Sequence, residues 1–281
     1  MSGRYMTQEQ IHGFAQWLKK EERSSGTIEK YFRDVTAFGV WLNGECVVKE
    51  AVSRWKAELV AQGYAPVTVN SMLGAVNAFF RFQGWEDCRV KTLRLQKRMF
   101  RDSKRELTRE EYARLLHTAQ CQGKERLALL METIGATGIR VSEIRYITVE
   151  AAKQGKAEIS LKGKIRTVLL PRKLCRKLLK YAKHKKIASG EIFLTGSGNS
   201  LSRRQVWAEM KRLRNAAGVE PGKVFPHNLR HLFATVFYRA CRDVVRLADV
   251  LGHSSVETTR IYLMTTGEEH RKQLERLGLI S

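Results

Sequence analysis

Through residues 1–85 apolar side chains recur every three to four positions in four separate blocks, a spacing that α-helices turn into a buried stripe. The first block opens at Thr7 with Gln10 three places on, a capping box, and offers Ile11, Phe14 and Leu18 to a core. The second starts after Ser24-Ser25, carries Ile28, Tyr31, Phe32, Val35, Phe38 and Leu42, and stops at Asn43-Gly44. Val48, Val52, Trp55 and Leu59 mark a third, ending at Gly63. A fourth begins beside Pro66, aligns Val69, Leu73, Val76 and Phe80, and ends near Gln83-Gly84. The spacing predicts a four-helix module over residues 1–85.

The periodicity then fades. Between Glu86 and Glu106 eight cations crowd together: Arg89, Lys91, Arg94, Lys97, Arg98, Arg101, Lys104 and Arg105. This stretch reads as a basic linker over 86–106, either a solvated connector or a segment that touches phosphates, with Lys97 and Arg98 as candidate contacts. A second domain over 107–281 is announced by another capping box, Thr108-Arg109-Glu110-Glu111, ahead of Tyr112, Leu115 and Leu116. More helix is expected from about residue 125 to 135. Two β-favouring runs, Glu158 to Leu161 and Thr167 to Leu170, flank Lys162-Gly163-Lys164 and predict a hairpin with lysines at its tip. Ile192-Phe193-Leu194 is expected to add an edge strand, and helices return from about 202 to 217 and from His227 to near Tyr238. The fold class that follows is mainly α, with a small antiparallel β-sheet in the second domain.

Charge narrows the function classes. Among 281 residues, 51 Lys and Arg face 28 Asp and Glu, a formal net charge of +23 spread through the chain, so the expected partner is a polyanion. No run approaches about 18 consecutive apolar residues, and the N-terminus reads as a capped amphipathic helix, not a signal peptide, so a soluble, cytoplasmic protein without membrane association is expected. Cys46, Cys88, Cys121, Cys175 and Cys241 are odd in number and scattered without C-x-x-C spacing, which predicts buried reduced thiols. The Gly196-Ser197-Gly198 loop lacks a following Gly-Lys-Ser and reads as a turn.

The last quarter carries the chemistry. His227-Asn228-Leu229-Arg230-His231 is followed by Leu251-Gly252-His253 and, nine residues beyond that histidine, by Tyr262; Arg140 stands upstream in Ala136-Thr137-Gly138-Ile139-Arg140-Val141-Ser142-Glu143. Displacement at a phosphodiester builds charge on the equatorial oxygens, and a guanidinium presents a planar fork that can meet two of them. On a helix, His227 and Arg230 share a face, with His231 one turn from His227. Gly138 permits a tight turn into a helix whose early N–H groups could also face an anion. A phenol with a pKa near about 10 becomes a nucleophile only if a base or nearby cations ease its deprotonation.

This set resembles the tyrosine recombinase (phage integrase) family, over nearly the whole chain. The resemblance implies a SAM-like core-binding domain in the N-terminal helices and a catalytic domain from Leu107 onward, with Arg140, His227, Arg230, His253 and the nucleophile Tyr262 as the active site. It points to a catalytic lysine on the hairpin turn, Lys162, with Lys164 able to occupy the same space, and to Glu143 as a supporting acid. It further implies site-specific recombination of double-stranded DNA at a core site, through a 3′-phosphotyrosyl intermediate, with no cofactor, nucleotide or metal. Assembly as a tetramer on two duplexes is expected, with the C-terminal tail from Gly267 onward either docked in a neighbouring protomer or packed on its own domain, and with an accessory directionality protein as a possible partner. The chain resembles a compact Xer-like or simple phage-type enzyme, for which no arm-binding domain is expected ahead of the core-binding helices. Arg203 and Arg204 are candidate groove or backbone contacts.

Overall fold

The computed structural model describes residues 3–95, 105–161, 164–262, 271 and 275–277, with the backbone alone at 161 and 164. The chain divides into two compact units, Met1–Lys97 and Arg98–Ser281.

In the first unit, α1 (Gln8–Lys20), α2 (Ser25–Leu42), α3 (Lys49–Ala61) and α4 (Pro66–Gln83) follow the apolar blocks of the sequence. Thr7 Oγ1 accepts from the Gln10 N–H at 3.2 Å while Gln10 Oε1 accepts from the Thr7 N–H at 3.0 Å, so two donors that the first helical turn would orphan are satisfied. Asn43 ends α2 in the left-handed region at φ 47°, and Gly84 ends α4 at φ 72°. The core is aromatic: Phe14 meets Phe79 edge-on at 5.5 Å, and Phe38 lies 4.9 Å from Trp55. A buried acid, Asp34, is held by Lys30 at 2.5 Å and Arg33 at 3.0 Å.

The stretch after α4 is anchored before it leaves the unit. Cys88 and Val90 enter the core. Asn77 donates to the Val90 carbonyl at 2.9 Å and accepts from its N–H at 3.1 Å; Asn70, two turns earlier on α4, treats Leu93 the same way at 2.9 and 2.7 Å. Two amides thereby supply the pairing that a neighbouring strand would otherwise give. The basic stretch is therefore packed as far as residue 93, and Lys97 and Arg98 lie outside the described residues.

The second unit is built around α6 (Glu125–Thr137), which packs against α5 (Arg109–Cys121), α8 (Arg172–His184), α9 (Arg203–Leu213) and α10 (Pro226–Cys241). The short α7 (Val149–Gln154) leads into β1 (Lys156–Leu161) and β2 (Lys164–Leu169), paired antiparallel from Lys156 opposite Leu169 to Leu161 opposite Lys164. On β1, Ala157 and Ile159 point to the core while Glu158 and Ser160 face out. The chain then closes with α11 (Val244–Leu251), α12 (Val256–Thr259) and a 3₁₀ turn, Arg260–Tyr262.

Two sequence expectations are corrected. Ile192-Phe193-Leu194 adds no strand among the described residues: Glu191 and Leu194 form single bridges to Thr148 and Ser200, while Ile192 and Phe193 plug the core. All five cysteines are free, but Cys121 and Cys241 are exposed because they sit at the ends of α5 and α10, outside the packed stripe. Among the described residues no helix is long and apolar enough to cross a membrane.

Candidate active site around Arg230

Pro226 sets the first turn of α10, where its missing N–H costs nothing, and the helix then puts His227, Arg230, His231 and Ala234 along one side. Arg230 is only 2% exposed and ranks first by volume among the fully buried side chains. A buried guanidinium needs acceptors, and it finds the Gly138 carbonyl at 2.5 Å, the Leu251 carbonyl at 2.9 Å and His253 Nε2 at 2.9 Å, with the Tyr262 hydroxyl as a further partner. Gly138 caps α6 and Leu251 ends α11, so both carbonyls carry the partial negative charge of a helix C-terminus. Burial first, then Arg140, lowers the Arg230 pKa to about 10, which leaves it charged at neutral pH.

That contact also fixes the tautomer of His253. Arginine only donates, so Nε2 must be the unprotonated nitrogen, and Nδ1 carries the hydrogen that it donates to Thr259 Oγ1 at 2.8 Å. Burial, followed by the charges of Arg230, Arg140 and Arg166, pushes the His253 pKa down to about 4. The imidazole is therefore neutral. His227 is held below the usual histidine range by desolvation and then by Arg230 and Arg140.

Tyr262 completes the group. Its ring lies 4.5 Å from that of His231, edge-on, and 6.1 Å from that of His253, nearly parallel. It is 3% exposed and packs with Ala234, Leu247 and Leu251. His231 itself has Glu106 at 4.0 Å and the His227 ring at 6.3 Å.

Arg140 approaches from the turn after α6. Gly138 adopts φ 64°, and a Cβ there would stand 2.4 Å from Phe233, so only glycine lets the turn lie against α10. Arg140 then caps a 3₁₀ turn, Val141–Tyr146, and leaves 39% of its side chain exposed. The N–H groups expected to face an anion are not all available: the Arg140 N–H is taken by Glu143 Oε2 at 2.9 Å, while Glu143 Oε1 accepts from the Arg140 guanidinium at 2.9 Å.

Sequence reasoning missed two residues here. Arg166 on β2 donates to Glu143 Oε2 at 2.6 Å and to the Val250 carbonyl at 3.0 Å. It lies against Gly252, whose Cβ, if present, would stand 2.3 Å from the Arg166 side chain. The signal was a charged residue on the same side of β2 as the core residue Val168. Burial pushes the Glu143 carboxyl up, but the Arg140 N–H and the Arg166 guanidinium outweigh it and hold the pKa below the usual value. Thr259, fully buried beside His253, is the second; one of two adjacent threonines, Thr258 and Thr259, gave nothing to single it out.

Arg140, Glu143, His227, Arg230, His253 and Tyr262 are thus brought together. Arg203 and Arg204 are exposed in the first turn of α9 and bond to no described side chain. Lys162 lies outside the described residues, as does the side chain of Lys164 and almost all of the tail from Gly267. Arg140 and Arg166 share the Glu143 carboxylate while Arg230 meets only neutral acceptors, so the cluster carries excess positive charge beside a phenol, an arrangement suited to a tetrahedral anion.

Comparison with known proteins agrees. The model of the phage integrase family matches residues 105–269, and that of the phage integrase N-terminal SAM-like domain matches residues 11–87. The tyrosine recombinase XerA of Thermococcus kodakarensis is 32% identical over 97% of this chain and 96% of its own length. XerA of Pyrococcus furiosus is 28% identical over 100% and 98%. The Tn1549 transposon integrase, solved with transposon right end DNA, superposes with a TM-score of 0.72 at 18% identity, covering 96% of this chain and 99% of that one. A lambda integrase dimer bound to a COC′ core site gives 0.72 at 17% identity over 91% and 94%, and both likenesses are of fold. With the two family models spanning both units, the chain belongs to the phage integrase family of tyrosine recombinases.

Proposed function

We propose that this protein recombines double-stranded DNA at a specific core site by cutting and rejoining strands through a 3′-phosphotyrosyl intermediate. The observation that carries the reading is the meeting of Arg230, His253 and Tyr262 from α10, the end of α11 and the last 3₁₀ turn. The relatives named as tyrosine recombinases, and structural neighbours solved on DNA, point the same way. Residues 1–85 serve as the core-binding module and residues from 107 onward as the catalytic domain.

The Tyr262 oxygen attacks the scissile phosphorus and the bond to the 5′ oxygen breaks. His227, whose pKa is lowered by burial first and then by its cationic neighbours, takes the phenolic proton, and the hairpin lysine, Lys162 or its neighbour Lys164, returns one to the departing 5′ oxygen. Arg140 and Arg230 neutralise the charge that builds on the equatorial oxygens. His253 Nε2 accepts from Arg230 in the free protein, so it cannot donate there. A phosphate arriving beside Arg230 offsets the positive charge that holds His253 low, favours its protonation and converts Nε2 into a donor. Glu143 keeps Arg140 aimed. Bond energy is stored in the phosphotyrosyl link, so a 5′ hydroxyl from a second duplex can reverse the attack without ATP, and the charge neutralisation calls for no metal ion.

Arg230 and Tyr262 are both covered, at 2% and 3% exposure, whereas Arg140 is open. Phosphate is therefore met first by Arg140, and the 260–262 turn lifts to admit it to Arg230. Exchange requires two duplexes and four protomers, coupled through the C-terminal tail, with an accessory protein setting direction.

Incubation with a nicked suicide duplex carrying the core site tests the reading. The wild type is expected to leave an SDS-stable, protease-sensitive adduct and Tyr262→Phe none. Binding without any adduct would show that the cationic cluster only holds phosphate.

A further inference from the structure

The helix α8 faces solvent with a ridge of cations that none of the proposed chemistry uses. Its inner side, Leu174, Cys175, Leu178, Tyr181 and Ala182, is buried in the core of the second unit. Its outer side carries Arg172, Lys173, Arg176, Lys177, Lys180 and Lys183, all exposed, which at about 100° per residue fall within an arc of about 140°. Lys177 meets Glu132 at 2.5 Å. The other five pair with no carboxylate among the described residues.

Such a face works against its own helix. Like charges stand three and four residues apart along the whole length, where opposite charges would support the helix and like ones oppose it. Arg172 and Lys173 occupy the first turn, which contains no acid and where the helix dipole disfavours cations. The helices that pack against α8 follow the ordinary rule: α6 has Glu125 in its first turn, and α7 has Glu150 in its first turn and Lys153 in its last. Surfaces that serve solubility mix both signs. A ridge that departs from that pattern on every turn marks a contact with a polyanion.

We infer that the outer face of α8 is a second, sequence-independent docking surface for the phosphate backbone of duplex DNA, apart from the cluster around Arg230. Thirteen residues span about 20 Å, the rise of about six base pairs, so a rod-like duplex can meet the whole ridge. An anionic membrane is the poorer fit, because no large apolar side chain is exposed on α8 to enter the headgroup layer. Lysine-rich ridges hold phosphate as point charges and do not read bases. The choice of DNA as the polyanion rests on the proposed recombinase reading.

The test is salt-dependent binding of the full-length protein to a random-sequence duplex, followed by fluorescence anisotropy. Lys173→Gln with Arg176→Gln, and Lys180→Gln with Lys183→Gln, are each expected to reduce the slope of log affinity against log salt by about 1 to 2, at about 0.9 per lost phosphate contact. A Lys153→Gln with Lys156→Gln variant removes the same charge from exposed positions on α7 and β1 and is expected to leave the slope unchanged. The charge-preserving swap Arg176→Lys with Lys180→Arg is expected to keep the wild-type slope, separating charge from packing. Wild-type slopes in both α8 variants, or equal losses in all three neutralised variants, would overturn the inference. An adduct on the nicked duplex together with unaltered slopes would sink the ridge and leave the recombinase reading standing; α8-dependent slopes without an adduct would do the reverse.

Discussion

Arg166 and Glu143, 23 residues apart, meet at 2.6 Å and join three segments of the site: the strand that follows the hairpin turn, the turn that carries Arg140, and, through the Val250 carbonyl, the chain leading to His253. Glu143 is held from both sides, by Arg140 and Arg166, and its side chain is nearly fully buried. Removing Arg166 leaves that carboxylate with one guanidinium. Arg166→Ala is expected to destabilise the second unit by about 2–3 kcal/mol in urea unfolding and to slow adduct formation on a nicked duplex at least about tenfold. Arg166→Lys can replace the charge but not both bonds at once, and is expected to recover stability more fully than rate.

Thr259 fixes which nitrogen of His253 is bare. Thr259→Val keeps the volume and removes the acceptor, leaving Nδ1–H without its bond at 2.8 Å. The expected cost is about 1–2 kcal/mol of stability and about a tenfold loss in the rate of adduct formation at saturating protein, with DNA affinity held. An unaltered rate in single-turnover measurements would show that the tautomer plays no part.

Protonation of His253 links stability to pH. Its folded pKa is about 4 while the unfolded value is near about 6.5, so the unfolded chain takes up a proton over a window where the native one does not. The stabilisation is complete above about pH 6.5 and is lost as pH falls from there toward 4. Allowing for solvent screening, urea midpoints are expected to drop by the equivalent of about 1–2 kcal/mol between pH 7 and 4.5, and His253→Gln to flatten that slope. The Glu143 carboxyl, held low, adds a further loss below about pH 4.5 by the same sign.

Gly138→Ala is expected to cost more than about 2 kcal/mol, since a Cβ would stand 2.4 Å from Phe233 and the residue would keep φ 64°. The same change at Gly155, where φ is 74° but nothing lies within 4 Å of the added carbon, carries the backbone strain without the clash. Thermal midpoints of the two variants separate the contributions: Gly138→Ala should fall well below Gly155→Ala.

The helices of the first unit and their caps were legible in the chain because the cause is local: periodicity and a capping box act within a few residues, as at Thr7 and Gln10. The identities of Arg140, His227, Arg230, His253 and Tyr262 were legible as motifs for the same reason. The helix α8 was overlooked although Leu174, Cys175, Leu178, Tyr181 and Ala182 have helical spacing, because the cations between them hide the apolar stripe. Ile192-Phe193-Leu194 was overread as a strand because β-favouring residues also suit a plug in a core.

What folding decided is the partners. Arg230 rests on a carbonyl 92 positions away, and Arg166 on a carboxylate 23 and a carbonyl 84 positions away. No pattern of residues along the chain encodes a backbone carbonyl as an acceptor, since every residue has one; only the burial of a guanidinium between two helix ends selects which carbonyls it binds. The sequence by itself supplied the cations, the imidazoles and the phenol, and the packing of α6, α10 and α11 determined where their charges and protons sit.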